Sequence, residues 1–170
     1  MNEQAKIVLK SGKDQSLRRR HPWVFSGAIK KMYGHPQAGD MVEIYDNKDE
    51  LLGVGHYQEG SIAIRMLTFG NEKPGPNFWL KKISDAWEHR KQEQLFQPDY
   101  NNCFRLVNAE GDGLPGLIID YYNGAVVIQI HSVGMYRSRE QIIEVLQGLT
   151  GLPIDTIYNK SKNTLHETGN

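Results

Sequence analysis

The chain has 170 residues, 39% hydrophobic and 24% charged, with a formal net charge of zero. That length holds one ordinary domain or two small ones, the composition is that of a globular protein, and no apolar run approaches the ~20 residues that span a bilayer. Cys103 is the only cysteine, which excludes an internal disulfide and, with no apolar segment after Met1, points to a reducing cytoplasm.

The charge is unevenly placed. Residues 1–31 hold eight basic and two acidic side chains, a net +6, and the remainder balances it at −6. A basic end on an acidic chain is the footprint expected of a face that meets phosphate, or of a solvated surface. Within this stretch Ile7-Val8-Leu9 opens a strand. Asp14 is placed to cap a short helix through Arg20, which Pro22 stops. Trp23 and Phe25 alternate with Val24, so one face of a strand takes both rings. They are predicted to lie together in the core, with base stacking as the alternative.

Met41 to Tyr45 alternates as a strand, Asp46 to Asp49 is a turn, and Leu51 to Tyr57 and Ile62 to Leu67 are further strands. Gly53 and Gly55 inside a strand suggest a bulge or a close backbone approach. Short strands with Gly-rich turns fit a small barrel or sandwich. The polar, Gly- and Pro-rich run from Phe69 to Asn77 supplies a linker at 71–77, between a domain at 1–70 and a second at 78–170.

Asn77 is predicted to cap a helix to about Phe96, with Trp79, Ile83, Ala86 and Trp87 on its core face. Phe104 to Asn108 reads as a strand. Gly111, Gly113 and Gly116 satisfy the letter of the dinucleotide fingerprint G-x-G-x-x-G, but its chemistry needs a helix directly after the glycines. Here Leu117 to Tyr122, Asn123-Gly124 and Ala125 to Ile130 follow, which read as a hairpin. Glu110, Asp112, Gly113, Pro115 and Gly116 are therefore assigned to a structural turn. Ser138-Arg139-Glu140-Gln141 has the form of a capping box before a second helix carrying Ile142, Ile143, Leu146 and Leu149. Ile154 to Tyr158 is a last strand, and Asn159 to Asn170 is a polar tail.

Glu110, Asp112 and Asp120 could do acid–base work if one had a raised pKa, but carboxylates in a Gly-flanked turn more often accept backbone N–H groups. Arg105 is placed to pair with one of them or to face a phosphate. The six histidines are scattered without metal-ligand spacing, so no metal site is expected.

The run from Arg105-Leu-Val through Asp112-Gly-Leu-Pro-Gly-Leu to Asp120-Tyr121 resembles the middle domain of the bacterial 23S rRNA cytosine-5 methyltransferase family. Leu17-Arg-Arg-Arg-His-Pro-Trp-Val-Phe-Ser-Gly-Ala-Ile29 is similar to the start of that family's PUA domain. The resemblance implies a mixed α+β chain: a small β-barrel-like PUA domain that binds RNA, then an α+β domain with a β-hairpin and two helices. It implies S-adenosylmethionine as cofactor of the full-length family, held by a C-terminal methyltransferase domain that this chain lacks. No cofactor and no catalytic residue is therefore expected within these residues. The implied partner is RNA, namely 23S rRNA, with no membrane. The candidates for RNA contact are Lys10, Lys13, Arg18, Arg19, Arg20, His21 and Arg105. Family members often carry an arginine followed by Glu-Gly near the end, where this chain has His166-Glu-Thr-Gly169. The leading reading is thus an RNA-positioning portion of a methyltransferase, inert alone. The runner-up is a stand-alone RNA-binding adaptor, and a third is a small hydrolase using Glu110, Asp112 and Asp120.

Overall fold

A computed structural model describes residues 5–161. The tail run His166 to Gly169 lies outside the described residues. The chain divides between Gly75 and Pro76 into two compact units.

The first unit contains β1 (Lys6–Leu9), α1 (Gln15–Arg18), β2 (Trp23–Phe25), β3 (Ile29–Tyr33), β4 (Met41–Tyr45), β5 (Leu51–Tyr57) and β6 (Ile62–Met66). They form one six-stranded sheet in the order β2-β6-β5-β4-β1-β3. Only β1 and β4 are parallel; the other neighbours run antiparallel. The two edge strands, β2 and β3, are joined by the single 3₁₀ turn Ser26–Ala28. Four residue steps reach at most ~14 Å, whereas six flat strands at ~4.8 Å spacing would span ~24 Å. The sheet must therefore curl until its edges approach. No ladder joins β2 to β3 among the described residues, so the result is a curled half-barrel and not the closed barrel that strand count alone suggests. Ile7, Leu9, Ile44 and Ile64 fill its concave side with Leu17 of α1.

Gly53 and Gly55 make this curl possible. A Cβ on Gly53 would fall 2.2 Å from the Thr68 carbonyl oxygen, and one on Gly55 would fall 2.6 Å from that of Arg65. The close backbone approach expected of these glycines is present, and a register shift between Ile44 and Tyr45 lies opposite Gly53.

The second unit contains α2 (Phe78–Gln92), β7 (Cys103–Asn108), β8 (Leu117–Tyr122), β9 (Ala125–Ile130), α3 (Val133–Arg137), α4 (Arg139–Gln147) and β10 (Thr156–Asn159). Its sheet has the order β10-β9-β8-β7, with β10 parallel to β9 and the rest antiparallel. The hairpin β8–β9 turns on Asn123 and Gly124, both at positive φ (43° and 92°), the geometry that an Asn-Gly hairpin demands. Trp87 of α2 stacks on Phe104 of β7, with ring centroids 6.0 Å apart, and Tyr121 and Phe96 close the same aromatic cluster.

The helices differ from the sequence expectation in number, caps and ends. This unit has three α-helices among its described residues, not two, the addition being the five-residue α3. Its N-terminus is capped by Ser132, whose Oγ accepts the Met135 N–H at 3.3 Å. Ser138 does not form a capping box: its Oγ donates back to the Gly134 carbonyl at 3.1 Å, so it ends α3 while leading into α4. Asn77 and Asp14 stand at helix starts without a side-chain cap bond, and α2 ends at Gln92, short of Phe96.

Candidate nucleic-acid interface

The basic segment 10–21 runs through α1 into β2. Its helix ends in a Schellman arrangement: Arg20 N–H donates to the Leu17 carbonyl (2.8 Å) and His21 N–H to that of Ser16 (2.9 Å). The residue that such a cap places in the left-handed region is usually glycine. Here it is Arg20, at φ +61°.

The three arginines separate by role. Arg18 turns inward to three carboxylates: its Nε donates to Asp14 (2.6 Å) and one terminal nitrogen donates to Asp46 (3.0 Å) and Glu50 (2.7 Å). The hydrogen bonds to Glu50 and Asp14 push the guanidinium pKa upward. Asp14 is held below its ordinary range by the bond from Arg18. Asp46 is held low chiefly by the Glu50 amide, which donates to its carboxylate at 2.9 Å. Arg18 is thus committed to the fold. Arg19 and Arg20 are exposed and make no ion pair among the described residues. Lys13 is exposed, and Lys10 donates to the Gly27 carbonyl at 2.8 Å, an uncharged partner that leaves its charge uncompensated.

The aromatic residues that follow do not lie where alternation placed them. Val24 is buried, Trp23 is half-buried and Phe25 is 50% exposed. Pairing explains the inversion. Val24 sits opposite the fully buried Ile64, and Trp23 opposite Arg65. Alternation puts Trp23 and Phe25 on one face but does not say which; the register against β6 does. His21, Trp23 and Phe25 thereby form an outward row, with centroid separations of 5.7 and 6.5 Å and near-perpendicular rings. The Nδ1 of His21 accepts the Trp23 N–H at 3.2 Å.

In the second unit the sequence candidates are engaged with one another. Arg105 and Asp120 are cross-strand partners in β7 and β8 and form a forked pair at 2.8 and 3.3 Å, which raises the Arg105 pKa. Asp112 accepts the Asn108 N–H (2.6 Å) and pairs with Arg90 (2.5 Å), a buried arginine of α2 that also donates to the Arg105 carbonyl. Sequence reasoning misses Arg90; its place one turn beyond Trp87 on the core face is the available signal. Asp112 and Asp120 are thus bound to different arginines, so the acid–base group of the hydrolase reading is not assembled. Glu110 lies in the 3₁₀ turn Ala109–Asp112 with Asp112. Gly113 (φ +67°) ends that turn, and buried Pro115 and Gly116 (φ +85°) lead into β8.

The glycines of the fingerprint lead into an antiparallel strand and not directly into a helix; the helix start beside Gly116 is that of the five-residue α3, at Ser132. The strand–helix junction at β9–α3 is two residues long, and Ser132 already occupies its Met135 amide. The described residues do not form a cradle for S-adenosylmethionine. No group of three or more His, Cys, Asp or Glu among them converges to hold a metal. No described helix is long and apolar enough to cross a membrane.

Residues 7–69 match the family of PUA-like domains. Beyond it, the chain is similar to ribosomal RNA large subunit methyltransferase I of Alteromonas mediterranea, 37% identical over 159 residues. The enzyme of the same name from Photobacterium profundum is 40% identical over 158 residues. These matches cover 92% and 91% of this chain but only 39% of each relative, so the chain spans about two fifths of the length of the curated relatives it matches. The fold is shared with a candidate SAM-dependent methyltransferase from Streptococcus mutans. That match has a TM-score of 0.74 at 16% identity and covers 91% of this chain and 40% of that one.

Proposed function

We propose that this chain is the RNA-gripping portion of an S-adenosylmethionine-dependent rRNA methyltransferase, with the methyl-transfer chemistry carried by a domain outside these residues. The PUA-like domain and the likeness to the rRNA large subunit methyltransferases support the class. The observation that carries the reading is local: Arg19 and Arg20 face solvent, outside any ion pair among the described residues, just before an outward aromatic row. The proposed substrate is 23S rRNA, with cytosine C5 as the methylated atom. That finer assignment rests on the resemblance of the segment from Arg105 to Tyr121 to the cytosine-5 family. The role of this chain is to bind and orient. Arg19, Arg20, Lys13 and Lys10 neutralise phosphates and set register without reading sequence, and Arg18 holds the helix that presents them.

The test is an RNA titration at several salt concentrations. Replacing Arg19 and Arg20 together by Gln should weaken binding to all sequences. It should also flatten the salt slope by roughly 1.5 units, at about 0.7–0.9 for each phosphate no longer neutralised. Arg18→Gln should lower the thermal midpoint and leave the slope of the folded protein unchanged. A wild-type slope in the double variant would remove the basic loop from RNA binding.

A further inference from the structure

A cavity of about 340 Å³ lies between α1 and the turn that follows β2. Lys13, Ser16, Trp23, Phe25 and Gly27 are among the residues that line it. The volume is at the lower end of small-molecule sites, roughly 300–1,000 Å³. Its chemistry is mixed in a particular way. Two large rings stand at 90° with centroids 6.5 Å apart, so a flat guest can lie on one ring and meet the edge of the other. The Ser16 hydroxyl makes no hydrogen bond among the described residues and is available to the edge of a guest. A cation, Lys13, lines the wall, and Arg20 is only three residues from Trp23, within ~11 Å along the chain. A flat, polar-edged group attached to a phosphate chain fits these features; an aliphatic guest uses neither the Ser16 hydroxyl nor the cations.

We infer that this cavity holds one unpaired nucleobase of the bound RNA, stacked on Trp23 or Phe25, while Lys13, Arg19 and Arg20 hold the flanking phosphates. The inference rests on the RNA-binding reading above and deepens it: the preferred ligand is a single strand or a bulged nucleotide, because a base inside a duplex cannot enter. Gly27 supports the assignment from the opposite direction. Its φ is not in the left-handed region, and an added Cβ meets nothing within 4 Å, so a side chain there can occupy the cavity without disturbing the fold.

The experiment compares a short single-stranded RNA with a blunt duplex of equal phosphate number, on the full chain and on Phe25→Ala and Gly27→Leu. Phe25 is half exposed and Gly27 borders open space, so both variants should keep the wild-type thermal midpoint. The wild type should prefer the single strand by about tenfold, the scale of one base–aromatic stack. Each variant should lose most of that preference. Binding should also quench Trp23, the one tryptophan that is not buried. Equal affinity of wild type for strand and duplex would overturn the inference, as would a preference that survives in both variants. Either result would leave the phosphate reading standing if the salt slope still responds to Arg19 and Arg20. A slope that ignores those arginines would instead take down the RNA reading itself.

Discussion

Arg20 stands where a helix cap ordinarily places glycine. A non-glycine residue at φ +61° carries a cost of about 1–2 kcal/mol in local sterics, and among the described residues the side chain has no ion pair in return. That cost is intelligible if the guanidinium is needed at this place for a ligand. Arg20→Gly should leave stability unchanged or raise it by up to about 1 kcal/mol, the larger entropy of unfolded glycine offsetting part of the relief. RNA affinity should fall at the same time. Thermal melts and an RNA titration on this one variant check both halves, and a loss of stability with unchanged affinity would make Arg20 merely structural. Glycines on the other unit behave in the opposite sense. Gly113 and Gly116 both hold positive φ, and at Gly116 a Cβ would also come within 3.0 Å of Ser132 Oγ, inside the cap of α3. At Gly113 the nearest atom, 3.0 Å away, is the flexible end of Lys82. Alanine should therefore cost about 1 kcal/mol at position 113 and more at 116, a ranking that denaturant melts of the two variants read directly.

At the scale of elements, ion pairs hold the segments of each unit together, and each unit makes a different prediction. In the first unit α1 is tied to the β4–β5 turn through Arg18, and Glu43 is paired with Lys73. The bond from Lys73 holds Glu43 below its ordinary 4.5, as Arg18 and the Glu50 amide hold Asp14 and Asp46 below 3.8. Carboxyl groups depressed in the folded state contribute stability that is complete above their ordinary values and is lost as pH falls through the folded ones. The thermal midpoint should be flat near neutrality and decline from about pH 4.5 downward, and Arg18→Gln should shrink that decline. In the second unit Asp112 and Arg90 are both 9% exposed at the side chain. Asp112→Asn leaves Arg90 buried without its counter-charge, and such losses run to about 3–5 kcal/mol; a drop below about 1 kcal/mol in a urea melt would contradict the pair's role. The elements that sequence made legible are those with a local rule: the Asn-Gly hairpin, the alternation of β4, the apolar face of α2. What it left illegible needed a partner. The five-residue α3 is too short to show a period, β3 is recognisable only by its ladder to β1, and the burial of Val24 in place of Trp23 and Phe25 depends on Ile64, forty residues later. Arg18 gave no sign of its fate for the same reason, since Asp46 and Glu50 lie about thirty residues away.

For the whole chain, net charge is a poor guide to where RNA would bind. Residues 1–75 carry eleven basic and nine acidic side chains and residues 76–170 carry nine and eleven, so the two units differ little in sum. The distinction lies in how the charges are used. In the second unit Arg90 and Arg105 are held by Asp112 and Asp120. In the first, pairing removes Lys6 and Arg18 from the basic residues of 1–31, while Lys10, Lys13, Arg19, Arg20, Lys30 and Lys31 are left outside ion pairs among the described residues, and Lys13 lines an aromatic cavity. Each unit also has its own sheet, and Ile7, Leu9, Ile44 and Ile64 lie in the half-barrel core of the first. If the RNA site is built entirely from residues 10–28, residues 1–75 expressed alone should unfold cooperatively and bind single-stranded RNA. Their salt slope should match that of the full chain, with affinity within about threefold, because the phosphate contacts that set the slope are all retained. Residues 76–170 alone should bind at least about tenfold more weakly at the same ionic strength, their arginines being already neutralised. Parallel titrations of the two pieces and the full chain decide the matter. A second unit that binds as tightly as the first, or a first unit that folds but has lost the salt slope, would move the grip on RNA to the face of Arg105 and Tyr122 and leave the cavity beside Trp23 without its phosphate anchors.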